Sequence, residues 1–223
     1  VYRERCADRG AALRREAEIK RLPRAEKLRL AAGYASDHPP AHRREELTEK
    51  DFLQMADMER AAYGEAYITP PEEAARWYAL HPHSCIAFAA LDGGIAGFIN
   101  LFPVREEIAC ALERGSFNDS LLRAEDVLDP AAGLKADLFF SCILISPAYR
   151  GTELSMRLVN AALDACAPAL PGARRIFLDA ATSGGERIAA RLGMRFLRET
   201  EHGTRLYHGT VKRFVREARA RQI

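Results

Sequence analysis

The chain has 223 residues, 48% of them apolar, and a formal net charge of +2. That is enough for one domain with a real core and additions, and the near balance of charge implies no strongly acidic or basic ligand. No apolar run approaches the length that crosses a bilayer, about 20 residues, no apolar signal core opens the chain, and the cysteines are scattered without a Cys-x-x-Cys pair, which points to a reducing compartment, by default the cytoplasm.

Residues 1–33 read as polar, alanine-rich helices broken near Pro23, with a thin apolar stripe of Ala12, Leu13, Ile19 and Leu22. So thin a stripe is expected to pack on a neighbouring domain or subunit, which leaves an oligomer open. Gly33 to His42, with Pro39 and Pro40, reads as a linker. Residues 1–42 are therefore a basic helical extension and linker, the main domain is 43–211, and 212–223 is a basic tail. Charges of both signs alternate at the two ends, as on exposed helices, so nucleic acid is not an expected partner.

Residues 43–47 predict a short first strand. Thr48, with Asp51 three positions on, opens a helix to Tyr63, and Pro70-Pro71 open the next, over 72–80. Tyr63-Gly-Glu65-Ala-Tyr67 is the loop between them. Cys85–Leu91 and Ile95–Phe102 flank Asp92-Gly93-Gly94, a hairpin signal. Residues 104–137 form a long connection, with a helix over 104–115; connections of this length above a site act as lids or specificity elements. His81-Pro-His83 lacks the spaced partners of a metal site, and no metal is expected.

The most informative stretch is 138–158. An apolar strand, Leu138-Phe-Phe-Ser-Cys-Ile-Leu-Ile145, leads through Ser146-Pro-Ala-Tyr-Arg150-Gly151 into a helix with Leu154, Leu158 and Ala162 on one face. A helix start presents unpaired N–H groups and the positive end of the peptide dipoles, which suits a phosphate. Arg150 adds a cation, and Gly151 lets the main chain come close. A further strand (174–180), a helix (186–192) capped by Thr182 or Ser183 and closed by Gly193, and a hairpin of 195–200 with 205–211 complete the domain.

In this order these blocks resemble the GNAT superfamily of N-acetyltransferases, over about residues 43–211. The family's acetyl-CoA signature is Gln or Arg, two residues, Gly, one residue, then Gly or Ala. Here it reads Arg150-Gly-Thr-Glu153-Leu-Ser155, with Glu153 in place of the central Gly and Ser155 as the last small residue. The resemblance implies an α/β fold: a mixed, mostly antiparallel sheet with a splayed parallel strand pair, flanked by helices. It implies acetyl-CoA as co-substrate, with the pantetheine arm on the main chain of Ile143, Leu144 and Ile145. The pyrophosphate would sit on the amides of Arg150, Gly151, Thr152, Glu153, Leu154 and Ser155, and Thr182 falls where the family has an Asn. Residues 104–137 are an insertion in this plan. The tyrosine that protonates the departing thiolate in the family falls at Ala189, so that acid is missing from its usual place.

The implied reaction is transfer of an acetyl group to a primary amine by direct attack in a ternary complex. The amine, from a small molecule or a protein, must lose a proton, and the sulfur must gain one. Asp137, just before the fourth strand, and Glu65 are candidate bases, and Tyr207 on the last strand is the substitute acid. Tyr63, Tyr67 and Glu106 are candidate acceptor contacts. Cys142 reads as a small buried apolar residue. Two other readings stay open: a GNAT-like domain that binds acyl-CoA or a partner protein without turnover, and an acetyltransferase acting on a nucleic-acid-associated target.

Overall fold

The computed structural model describes residues 4, 6–37, 40–65, 68–133 and 135–221, which divide into two compact units, Val1–Pro40 and Ala41–Ile223. In the first, α1 (Arg9–Arg21) starts at Asp8, whose Oδ1 accepts from Ala11 N at 2.7 Å. It stops at Leu22, held extended by the ring of Pro23. No residue of α1 is buried, and its charges pair on the surface, as Lys20 does with Glu16. α2 (Arg24–Asp37) runs on through 33–37, where the composition predicts linker.

The second unit is a seven-stranded sheet in the order β1-β2-β3-β4-β5-β7-β6. Its strands are β1 (Ala41–Arg43), β2 (Cys85–Ala90), β3 (Ile95–Val104), β4 (Asp137–Ile145), β5 (Arg175–Ala180), β6 (Arg195–Glu199) and β7 (Arg205–Thr210). Only β4 and β5 pair in parallel; the other neighbours are antiparallel. β1 lies two residues earlier than the apolar pattern predicts, with Ala41 opposite Ala90.

Strand side chains alternate, so each strand feeds two cores. On one face Ile99, Leu138, Phe140, Ile176 and Leu178 pack with α6 (Leu154–Ala165), α7 (Ser183–Arg191) and α8 (Val211–Arg219). The segment read as a basic tail is this last helix. Val211, Phe214 and Ala218 recur at helical spacing and are buried, while Asn160 Nδ2 on α6 donates to Ala218 O at 3.2 Å. On the other face lie α3 (Glu49–Tyr63), α4 (Pro71–Leu80), α5 (Glu106–Arg114) and the chain that follows α5. Leu112, Leu122, Ala124 and Val127 of that connection are buried against Phe102, Phe139 and Phe177, so it forms a packed layer on the sheet. At the start of α3, Asp51 Oδ2 accepts from both the amide and the hydroxyl of Thr48 at 2.8 Å, and Arg44 bonds its other oxygen at 2.9 Å.

Candidate active site

β4 has nine residues and β5 six, yet they pair only at Leu138 with Ile176, Phe139 with Phe177 and Phe140 with Leu178. Beyond Phe140 the two strands part. β4 stays on β3, with Ile143 opposite Ile99, Leu144 opposite Phe98 and Ile145 opposite Gly97, while its β5 edge has no ladder partner among the described residues. Burial records the same break: residues 137–140 are buried, whereas Ile143, Leu144 and Ile145 are only partly so. A parallel pair buried on both faces becomes, over these residues, an open cleft edged with main chain.

The turn after β4 is shaped by local hydrogen bonds. Gly151 has φ +81°, a backbone conformation that a side chain would strain. The Thr152 hydroxyl donates to Tyr149 O at 2.7 Å and accepts from Leu154 N at 3.1 Å, so Thr152 holds the first turn of α6. Arg150 Nε donates to Ile145 O at 3.3 Å, fixing the guanidinium over the end of β4. Glu153 is exposed at the cap position and Ser155 is half-buried. Thr182 caps α7, accepting from Gly185 N at 3.3 Å.

One extra residue in β4 sets the chemistry of the cleft. Asn100 pairs with Cys142 and Leu101 with Phe140, which leaves Ser141 as a bulge. Ser141 and Cys142 therefore both face the α3 side, where they line one small pocket with Glu59, Tyr63, Asp119 and Asp179. The Ser141 hydroxyl donates to Asp119 Oδ2 at 2.6 Å. Asp179 Oδ1 is buried with no hydrogen-bond partner among the described residues.

Three carboxyl groups in one confined space cannot all ionise freely. Glu59 is 5% exposed, and burial pushes its pKa up to about 7, against the pull of the Thr69 amide, which bonds Oε2 at 3.1 Å. Burial likewise raises Asp119 although the Ser141 bond opposes it, and raises Asp179, with the Asp119 charge adding to the effect. Cys142, whose Sγ lies 3.7 Å from the Tyr63 hydroxyl, is held well above the usual thiol range by burial, so it stays a thiol.

The residues singled out from sequence fall in several places. Tyr63 lines the pocket; Tyr67 lies outside the described residues. Glu65 is exposed beside Arg60, and Glu106 is exposed in the first turn of α5. Asp137 sits at the far end of β4 from the cleft, where Arg175 donates to it from its amide at 2.9 Å and from Nη2 at 2.6 Å. Tyr207 donates to Glu186 Oε2 on α7 at 2.8 Å, and Arg205 bonds the same oxygen. Ala189 is fully buried on the inward face of α7.

Glu59 and Asp179 carried sequence signals that composition alone hides. Phe52, Met55, Ala56, Glu59 and Tyr63 recur at helical spacing, so Glu59 is a carboxylate on an apolar stripe. Asp179 shares the strand face of Phe177 by the two-residue rule. Asp119 has no periodic signal; only the bulge and the fold of the insertion bring it in.

The sequence matches the model of the acetyltransferase (GNAT) family over residues 52–193. No curated protein matches it by sequence. Among solved structures, the loading GNATL domain of CurA from Lyngbya majuscula is similar at a TM-score of 0.55 and 13% identity, over 78% of this chain and 98% of that one. GphF GNAT-like decarboxylase, in complex with isobutyryl-CoA, is similar at 0.52 and 15% identity, over 76% and 99%. The NatC complex bound to Gag peptide and CoA gives 0.50 and 12%, over 75% and 95%. With the family match covering most of the chain, and the parted strand pair of that fold in place, the protein belongs to the GNAT acetyltransferase family.

Proposed function

We propose that the protein is an acetyl-CoA-dependent N-acetyltransferase that moves an acetyl group onto a primary amine by direct attack. The observation that carries this reading is the meeting of two features: the β4–β5 ladder ends at Phe140 and Leu178, and three carboxyl groups with raised pKa values stand on the α3 side of that break. The main chain of Ile143, Leu144 and Ile145 is the edge for the pantetheine arm, and the turn from Arg150 to Ser155 the seat of the pyrophosphate, with Glu153 turned to solvent. The CoA-type ligands of the GphF and NatC complexes support this use of the cleft.

Acetyl-CoA supplies the activated acyl group. An incoming ammonium must first give up a proton, and Glu59, with Asp119 beside it, is the acceptor whose pKa suits that task near neutrality. The neutral nitrogen then bonds to the carbonyl carbon as the carbon–sulfur bond breaks, and the second proton it sheds on becoming an amide leaves to solvent. We assign the proton for the departing sulfur to Tyr207, kept protonated by burial and by its bond to Glu186. The buried thiol of Cys142 argues for direct transfer rather than an acyl-cysteine. An acidic pocket also suits a neutral acyl group better than one with its own carboxylate.

Release of free thiol from acetyl-CoA, followed over a panel of amines, tests the proposal. Amine-dependent release that falls at least tenfold in Glu59→Gln supports it. Acetyl-CoA binding without amine-dependent release overturns it in favour of the non-catalytic reading.

A further inference from the structure

Beside the catalytic pocket lies a larger chamber of about 270 Å³, walled by Glu73 and Trp77 of α4 and by Asn118, Asp119 and Leu122 of the insertion. Asn118 and Asp119 line both spaces, so the two are adjoining. No Lys or Arg lines either one among the described residues, although the chain has 33 of them. Glu73 Oε1 is buried in the wall with no hydrogen-bond partner among the described residues.

Trp77 gives an independent sign of a ligand. It is 3% exposed and fixed edge-on to Phe102 at 5.3 Å between ring centroids, yet its Nε1–H has no partner among the described residues. A buried indole N–H nearly always finds an acceptor, and a chamber wall is where a ligand oxygen would supply one. The two orphan groups therefore ask for different things: Glu73 for a cation, Trp77 for an accepting oxygen.

We infer that the acceptor is a dication bearing a carbonyl or hydroxyl oxygen, with its reacting amine in the inner pocket and its second ammonium in the chamber against Glu73. This deepens the N-acetyltransferase reading and rests on it. Asp119, shared by both spaces, faces the stretch between the two nitrogens. Selection comes from the second charge: a monoamine of the same shape leaves the buried Oε1 of Glu73 without a partner, which is costly.

Calorimetric titration with three probes separates these contributions: lysinamide, with two cations and an amide oxygen; norleucinamide, with one cation and the oxygen; and cadaverine, with two cations and no oxygen. Lysinamide is expected to bind about tenfold more tightly than norleucinamide, the worth of one charge-assisted hydrogen bond, and Glu73→Gln is expected to erase that ratio. Trp77→Phe keeps the ring and is expected to erase only the preference for lysinamide over cadaverine. Equal binding of lysinamide and norleucinamide, or a ratio unmoved by Glu73→Gln, overturns the inference. Equal thiol release with those two amines overturns it too while leaving acetyl transfer standing. Glu73-dependent binding of lysinamide without thiol release supports the dication site and counts against transfer.

Discussion

Ser141 donates a hydrogen bond to Asp119 Oδ2 at 2.6 Å, joining the bulge of the central strand to the inserted layer above it. This bond favours the ionised form of Asp119 against the effect of burial. Ser141→Ala removes it, so Asp119 should hold its proton to higher pH. The Asp119 charge is one of the causes that raise Glu59, the proposed base, so the expected result is a shift of the acid limb of the kcat/KM profile to lower pH, with the limiting rate above that limb largely kept. Activity measured from pH 5 to 9, on the order of one point per half unit, checks it.

Glu59 makes stability fall with pH. Its pKa rises from the ordinary 4.5 to about 7 in the folded chain, so between those values the native state holds the proton more often than the unfolded one. Stability is highest below 4.5, declines through the window, and levels off above 7, a loss of about 3 kcal/mol if no neighbour compensates. Glu59→Gln should flatten that decline and be the more stable chain at pH 8, while amine acetylation drops. Denaturant midpoints across this range measure the first effect and thiol release the second.

Gly97 on β3 has no room for a side chain beside the cleft strand. A Cβ there would come within 2.8 Å of Leu144 O and 2.9 Å of the Ile145 side chain, with Leu158 at 3.2 Å behind it. Gly97→Ala should cost about 1–3 kcal/mol as overpacking. Since the displaced atoms edge the open cleft, KM for acetyl-CoA should rise more than KM for the amine. Steady-state kinetics with each substrate varied in turn tests this.

Asp137 and Tyr207 separate structure from chemistry. Asp137 is 6% exposed and takes three hydrogen bonds from Arg175, so Asp137→Ala removes them, leaves Arg175 with Glu113 at 3.3 Å, and should cost about 1–3 kcal/mol. Its pH–rate profile should keep its shape. Tyr207→Phe should instead lower kcat by about a hundredfold, the usual scale for a lost proton donor, with binding of acetyl-CoA unchanged. Thermal melts paired with kcat for the two variants decide the assignment.

Much of the fold could be read directly, because its elements carry local signals. Pro71 opens α4, Asp92-Gly93-Gly94 turns the hairpin, and the run from Leu138 to Ile145 is apolar but for Ser141. The parallel pair itself is fixed by order along the chain. The site was less legible because it is assembled from distant pieces. Asp119 reaches Ser141 across 22 positions, and no periodicity announces an irregular insertion that folds back on the sheet. Asp137 drew attention for its place before β4, but a strand has two ends, and the pairing with Arg175 occupies the one away from the cleft. Helix α8 was hidden by its charge: Lys212, Arg213, Arg216, Glu217 and Arg219 outnumber Val211, Phe214 and Ala218, although the latter share one face.

The extra residue in β4 acts on the strand as a frameshift does on a gene. Upstream of it, Phe140 points under α6; downstream, Cys142 and Leu144 point toward α3 while Ile143 and Ile145 take the α6 side. Deleting Ser141 would restore plain alternation and leave both sets on their present faces, but it would remove the hydroxyl that bonds Asp119. A change that spares all three pocket carboxylates would thus cut the inserted layer's tie to the strand beneath it.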